Sequence, residues 1–304
     1  MGLYIDGVYI ARTSGATIDV LDLERVEILR SPQGTLFGRN SSAGAISFIS
    51  KQPADEFEGK LEGGFGNFGS WDGGITLDVP IAPTLRTKLS YQASGIDGWM
   101  DNNGPNPVVG QPSEDFYQKE QEGYRLAVVW DATDKLTVNY SYDRAEIDST
   151  APYYQQDSSG RQEDTSHLFW GGGAYKYVLP ESDTIQSGHN LTVDWALSEN
   201  VSLKSITGYR EMEEYAIQNW SDTLFFATSV DWSTEAFSQE FQLLGSAFND
   251  HLDYISWVTI TSKSRVTRPK NNGPMPIPRL WMRWENHWHR PRRCWAATTS
   301  ASIL

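Results

Sequence analysis

The chain is poor in several things that most function classes need. One of its 304 residues is cysteine, Cys294, so there is no internal disulfide framework. It carries 25 Lys and Arg against 39 Asp and Glu, a formal net charge of -14, and so lacks the basic footprint that nucleic-acid phosphates require. No run of about 18 apolar residues occurs, which excludes a transmembrane helix but not a barrel, whose strands alternate. The opening Met1-Gly2-Leu3-Tyr4 shows no charged-then-apolar leader, so no signal peptide is expected in this sequence. The histidines, His167, His189, His251, His287 and His289, do not have the spacing of a zinc site. There is no G-x-S-x-G elbow. Residues 63–69, GGFGNFG, lack the helix pattern and the Lys-Ser/Thr that follow a phosphate-binding loop, and read as a hairpin turn. The carboxylate pairs Glu213-Glu214 and Glu56/Glu58 read as solvated or lumen-facing positions. No catalytic residue, metal site or cofactor is expected, and the chain is not read as an enzyme.

What is abundant is aromatic side chain and strict alternation. Phe, Trp and Tyr make up 12% of the residues, which suits membrane-interface girdles and also carbohydrate-binding surfaces. Trp71, Gly73, Ile75, Leu77 and Val79 share one face of a period-2 segment; Asp72, Thr76 and Asp78 share the other. Leu85, Thr87, Leu89, Tyr91 and Ala93 oppose Arg86, Lys88, Ser90, Gln92 and Ser94. The same rule holds for Tyr124, Leu126, Val128 and Trp130, and for Leu136, Val138, Tyr140 and Tyr142. It recurs in Leu191, Val193, Trp195 and Leu197, and in Phe237, Phe241 and Leu243. Connections alternate between short ones (80–84, 131–135, 198–200) and long polar ones (100–116, 148–189, 219–234). That arrangement predicts an antiparallel transmembrane barrel, short turns on the periplasmic side, with eight or nine strands from 57–65 to 252–256. The aromatics of the longest loop, Tyr153, Tyr154, Phe169, Trp170, Tyr175 and Tyr177, either grip a ligand or stabilise the loop.

Residues 22–46, DLERVEILRSPQGTLFGRNSSAGAI, read as a short helix or turn, a strand at 26–29, a Gly-dependent loop and a second strand at 45–50. With Tyr4-Ile5-Asp6-Gly7-Val8 upstream, this stretch resembles the last part of the plug domain of TonB-dependent outer-membrane receptors. Ser31 stands where that family usually has Gly, which implies a backbone that does not need positive φ there. The resemblance implies a mainly β fold: the C-terminal half of a plug at 1–53, then the N-terminal part of the receptor barrel at 54–256. The family's barrel has about 22 strands, so the barrel here is expected to be incomplete, with the first half of the plug and the TonB box absent.

The resemblance also implies the function: energised import of a scarce solute, most often a ferric siderophore, with cobalamin and carbohydrates as other family substrates. TonB would displace the plug, with outer-membrane lipid as the surrounding partner. Arg30, Pro32, Gln33, Gly34, Gly38, Arg39 and Gly44 are the implied gating and structural positions. Arg30 and Arg39 either pair with carboxylates on the barrel wall or are ordinary exposed arginines. The rival readings are a passive porin or adhesin barrel, a non-functional remnant, and an extracellular β-rich carbohydrate-active protein.

Composition breaks again near residue 257. Residues 257–304 hold nine Lys and Arg, one Asp or Glu, and five of the 12 tryptophans. No strand or helix period is evident, and the tail is expected to be irregular. It reads either as a basic membrane-binding segment or as the frame-shifted end of a truncated gene.

Overall fold

Asp6 and Gly7 both take positive φ, 47° and 82°, the backbone a two-residue hairpin needs. They join β1 (Gly2–Ile5) to β2 (Val8–Ile10). With β3 (Leu23–Arg30) and β4 (Gly44–Ser50) these form a four-stranded sheet in the order β2-β1-β4-β3. β1 runs parallel to β4, and β2 and β3 run antiparallel to their neighbours. Ile5, Ile10 and Phe48 are its buried centre, with Leu3, Leu23 and Ile46 packed around them. The computed structural model describes residues 2–10, 22–31, 43–99, 115–150, 181–219, 227–247, 252–263 and 295–303.

The helix or turn expected before residue 26 is a strand instead, since β3 already begins at Leu23. The reason is local. β3 is the edge of its sheet, and Arg25 pairs with Glu24 at 2.8 Å and with Glu27 at 2.7 Å. Residues two apart share a face only in an extended chain, and charges along an edge strand deter stray pairing.

The second sheet has ten strands in simple sequential order, every neighbour antiparallel. They are β5 (Glu58–Phe65), β6 (Trp71–Ala82), β7 (Leu85–Ile96), β8 (Lys119–Thr133), β9 (Leu136–Thr150), β10 (Glu181–Ser198), β11 (Val201–Asn219), β12 (Ala227–Ala247), β13 (Leu252–Lys263) and β14 (Trp295–Ile303). Of the GGFGNFG segment, residues 63–65 are the end of β5, and the connection to β6 runs over 66–70. The strands are longer than the alternation suggested, so the connections expected at 80–84, 131–135 and 198–200 shrink to Pro83-Thr84, Asp134-Lys135 and Glu199-Asn200. β9 runs to Thr150 and β10 begins at Glu181, both inside the loop expected at 148–189, and the six aromatics of that loop lie outside the described residues.

The last barrel strand runs past the end expected for it at residue 256. β13 continues through Val258 and Ile260, alternating with Thr259 and Thr261, and stops at Lys263. The tail is not wholly irregular either: β14 pairs along β13 from Ser262↔Trp295 to Tyr254↔Ile303. WAATTSASI lacks Gly and Pro, and the open edge of β13 offers a full row of backbone partners.

Register carries one set of side chains through the sheet from β5 to β12. On one face lie Asp78, Lys88, Ser90, Arg125, Ser141, Asp143, Gln186, Asn190 and Thr234, all buried. On the other lie Leu61, Ile75, Leu89, Tyr124, Trp130, Trp195 and Phe241, all exposed; Leu89 is 50% accessible and Trp130 also 50%. The sheet is therefore inverted relative to a water-soluble domain, with polar groups inside and apolar groups out. Across the apolar face runs a row of rings, in register from Tyr91 to Tyr124 and from Tyr142 through His189 and Tyr209 to Phe237. Tyr124 and Tyr142 lie 6.0 Å apart and Tyr142 and His189 lie 4.7 Å apart, centroid to centroid. On the loop side of that row the same face turns acidic, with Glu122 opposite Glu146 and Glu211 opposite Glu235.

Candidate functional site

The two sheets meet through charge. The hairpin turn of the small sheet projects the Asp6 carboxylate toward the polar face of the large one. Asp6 Oδ1 accepts from the Ser50 amide at 2.8 Å, and Oδ2 accepts from Ser50 Oγ at 2.7 Å. These bonds fix the carboxylate before it meets its partner. Arg125 of β8 donates through Nη2 to Asp6 Oδ2 at 2.7 Å and to Ser50 Oγ at 2.9 Å. Asn190 of β10 donates to the Asp6 carbonyl at 3.1 Å. Arg125 Nη1 makes no hydrogen bond, but lies 3.6 Å from Asp143 Oδ1 of β9. Asp143 is held independently by Arg210 of β11, through Nη1 at 2.7 Å and Nη2 at 2.9 Å. Gly188 makes room for that guanidinium, since a Cβ there would lie 2.6 Å from Arg210 Cζ.

A second contact of the same kind sits on the neighbouring strand, β7. Lys88 Nζ donates to Asp22, just before β3, at 2.9 Å and lies 3.6 Å from Asp78 of β6. Asp78 is held in turn by the Ala54 amide at 2.9 Å. Lys88 is 4% exposed, so its charge depends on these carboxylates rather than on water. On the other side of Arg125, at β11, the surfaces fit by shape. Val8, 2% exposed, faces Gly208 of β11 so closely that a Cβ at Gly208 would lie 2.4 Å from Val8 Cγ1. Tyr4 is buried beside Tyr9 and Glu240; burial first, then those two neighbours, push its phenol up to about 12.

The small mixed sheet that is ion-paired to the polar face of the antiparallel wall falls largely within a stretch that matches a known domain. Residues 1–45 match the model of the TonB-dependent receptor plug domain. The chain is similar to TonB-dependent receptors. It is 40% identical to the pesticin receptor of Yersinia pestis over 109 residues, 36% of this chain and 16% of that receptor. It is 35% identical to the catecholate siderophore receptor Fiu of Escherichia coli over 91 residues, 29% of this chain and 11% of Fiu. Its fold matches the crystal structure of the ferric yersiniabactin uptake receptor FyuA from Yersinia pestis with a TM-score of 0.67 at 19% identity. That match covers 86% of this chain and 39% of FyuA. The chain spans less than half the length of each.

With the small sheet as plug and the large one as wall, the residues singled out from sequence fall unevenly. Pro32, Gln33, Gly34, Gly38 and Arg39 lie outside the described residues, as do His287, His289 and Cys294. Arg30 stands at the exposed end of β3, opposite Gly44. Gly44 has φ +121°, and a Cβ there would lie 2.4 Å from the Leu29 carbonyl oxygen, so the position admits only glycine. Ser31 corrects an expectation, for its φ is +76°: the left-handed backbone is used although the residue is not glycine.

Two ion pairs join plug to wall in a sense not singled out from sequence. The plug supplies the carboxylates, Asp6 and Asp22, and the wall supplies the cations, Arg125 and Lys88. Both plug residues stood inside the quoted motifs. Lys88 sat on the polar side of its alternating strand, but nothing in linear sequence ties Arg125 to a residue 119 positions away.

Proposed function

We propose that this chain is the plug-and-wall portion of an outer-membrane receptor that imports a ferric siderophore, with TonB displacing the plug. The observation that carries the reading is the buried charge contact between plug and wall, Asp6–Arg125 and Asp22–Lys88, behind a sheet whose opposite face is apolar. An apolar outer face bordered by a ring of aromatics suits lipid, and a polar inner face suits a lumen closed by a removable sheet. The relatives support the cargo, since Fiu is described as a catecholate siderophore receptor and FyuA as a ferric yersiniabactin uptake receptor. The work is binding and mechanical release; no bond in the cargo is made or broken, and no resident cofactor is called for. Outer-membrane lipid, the siderophore and TonB are the partners.

The test uses a host stripped of its own siderophore receptors and given the locus that contains this coding sequence. Uptake of radioactive iron on phenolate and catecholate siderophores is measured with and without TonB. Accumulation is expected only with TonB. Equal accumulation without TonB would make the barrel a passive pore, and no accumulation with any siderophore would remove the cargo class.

A further inference from the structure

Both cations that hold the plug have a second carboxylate waiting. Arg125 touches plug Asp6 at 2.7 Å and lies 3.6 Å from wall Asp143. Lys88 touches plug Asp22 at 2.9 Å and lies 3.6 Å from wall Asp78. In each case the plug carboxylate has the close contact and the wall carboxylate the long one. Each wall carboxylate is anchored without help from the plug: Asp143 by both terminal nitrogens of Arg210, Asp78 by the Ala54 amide. Arg125 keeps one guanidinium nitrogen, Nη1, without a hydrogen bond, and it is the nitrogen nearest Asp143.

We infer that Asp143 and Asp78 are exchange acceptors: as the plug withdraws, Arg125 and Lys88 transfer from plug carboxylate to wall carboxylate. The inference rests on the reading of the small sheet as a displaceable plug. Its physical basis is the cost of a lone buried charge. Arg125 and Lys88 are 7% and 4% exposed, and removing the sole partner of such a group is strongly unfavourable. With a carboxylate 3.6 Å away, a side-chain shift of less than about 1 Å restores a close pair, so neither cation is left bare at any stage. A wall carboxylate that only buttressed the closed state would do the reverse, since its loss would loosen the plug. The sign of the effect therefore separates the two roles.

The experiment uses the full chain in lipid, without siderophore or TonB, and follows hydrogen exchange of β1 and β4 amides against those of β10 and β11. Asp78→Asn keeps an oxygen for the Ala54 amide but removes the charge that Lys88 would move to. Plug exchange is expected to slow by at least about tenfold while wall exchange is unchanged, because the open state now holds an unpaired cation. Asp143→Asn should act in the same direction, and Asp22→Asn, which removes the plug carboxylate, in the opposite one. Plug exchange at the wild-type rate or faster in Asp78→Asn overturns the inference. If Asp143→Asn loses wall protection, Asp78→Asn decides alone. Failure of the uptake test with slowed plug exchange would sink the transport reading and leave the exchange latch standing.

Discussion

Adding one carbon at Gly208 should loosen the plug without disturbing the wall. A Cβ at that position would lie 2.4 Å from Val8 Cγ1 and 2.8 Å from both Val8 Cγ2 and Ser238 Oγ. Val8 cannot swing aside, because it is β-branched, 2% exposed, and paired in register with Ile5 across a two-residue turn. Nor can β11 give way easily, since β10 and β12 pair with it along nearly its whole length. The strain therefore falls on the docking of the hairpin. Overpacking of this kind costs about 1–3 kcal/mol. At about 1.4 kcal/mol per factor of ten, plug opening in Gly208→Ala should rise roughly 5- to 150-fold.

Hydrogen exchange of β1 and β4 amides reads this directly, with β10 and β11 amides as the internal reference. Val8→Ala removes both γ carbons and should rescue Gly208→Ala. The double variant should be milder than the sum of the single ones by at least about 1 kcal/mol. If Gly208→Ala exchanges at the wild-type rate, or if the two effects simply add, the close approach of Val8 to Gly208 does not hold the plug and the reasoning fails.

Three further outcomes are expected. Ser31→Gly should raise the urea midpoint of plug unfolding by the equivalent of about 0.5–1 kcal/mol, since a non-glycine left-handed residue costs roughly 1–2 kcal/mol and glycine returns part of that as chain entropy; a lowered midpoint would mean that the Ser31 side chain makes a needed contact. Leu89→Arg, on the apolar face, should cost about 2–4 kcal/mol in a bilayer if that face meets lipid, and should cost little if it meets water; urea unfolding from phospholipid vesicles distinguishes these. Tyr4 has a phenol raised from 10.0 to about 12, so the folded plug holds that proton more tightly than the unfolded chain does. The stability it contributes is complete below pH 10.0 and is lost as pH climbs from there toward about 12. Tyr4→Phe should flatten that loss, and an unchanged alkaline profile would refute it.

Alternation made the wall legible. The faces containing Leu85 to Ala93 and Tyr124 to Trp130 are those the register shows, because a strand lining a sheet with two unlike sides must repeat every second residue. Strand ends were less legible, since two-residue turns such as Glu199-Asn200 carry no Gly signal, and polar ends such as 181–187 read as loop. The charge latch was not legible at all. Asp6 and Asp22 were visible as letters in a motif, but which wall residues they meet depends on how many strands intervene and on register. The motif drew attention to arginines of the plug, and nothing in it pointed to the Asp6–Arg125 and Asp22–Lys88 pairs, whose cations stand on the wall. Ser31 shows the same limit: a backbone angle that glycine would adopt freely can be imposed on serine by the strand before it and the turn after it.

The hairpin at Asp6 also sets a sequence of events. Its bonds reach Ser50 across 44 positions, Arg125 across 119 and the Asn190 amide across 184, whereas each wall strand bonds to its immediate successor. Entropy of closure rises with the logarithm of the span, so nearest-neighbour hairpins zip first and the longest loops close last. A nascent chain would thus emerge plug first and fold it into place last, with the lumen open until β10 and β11 have formed.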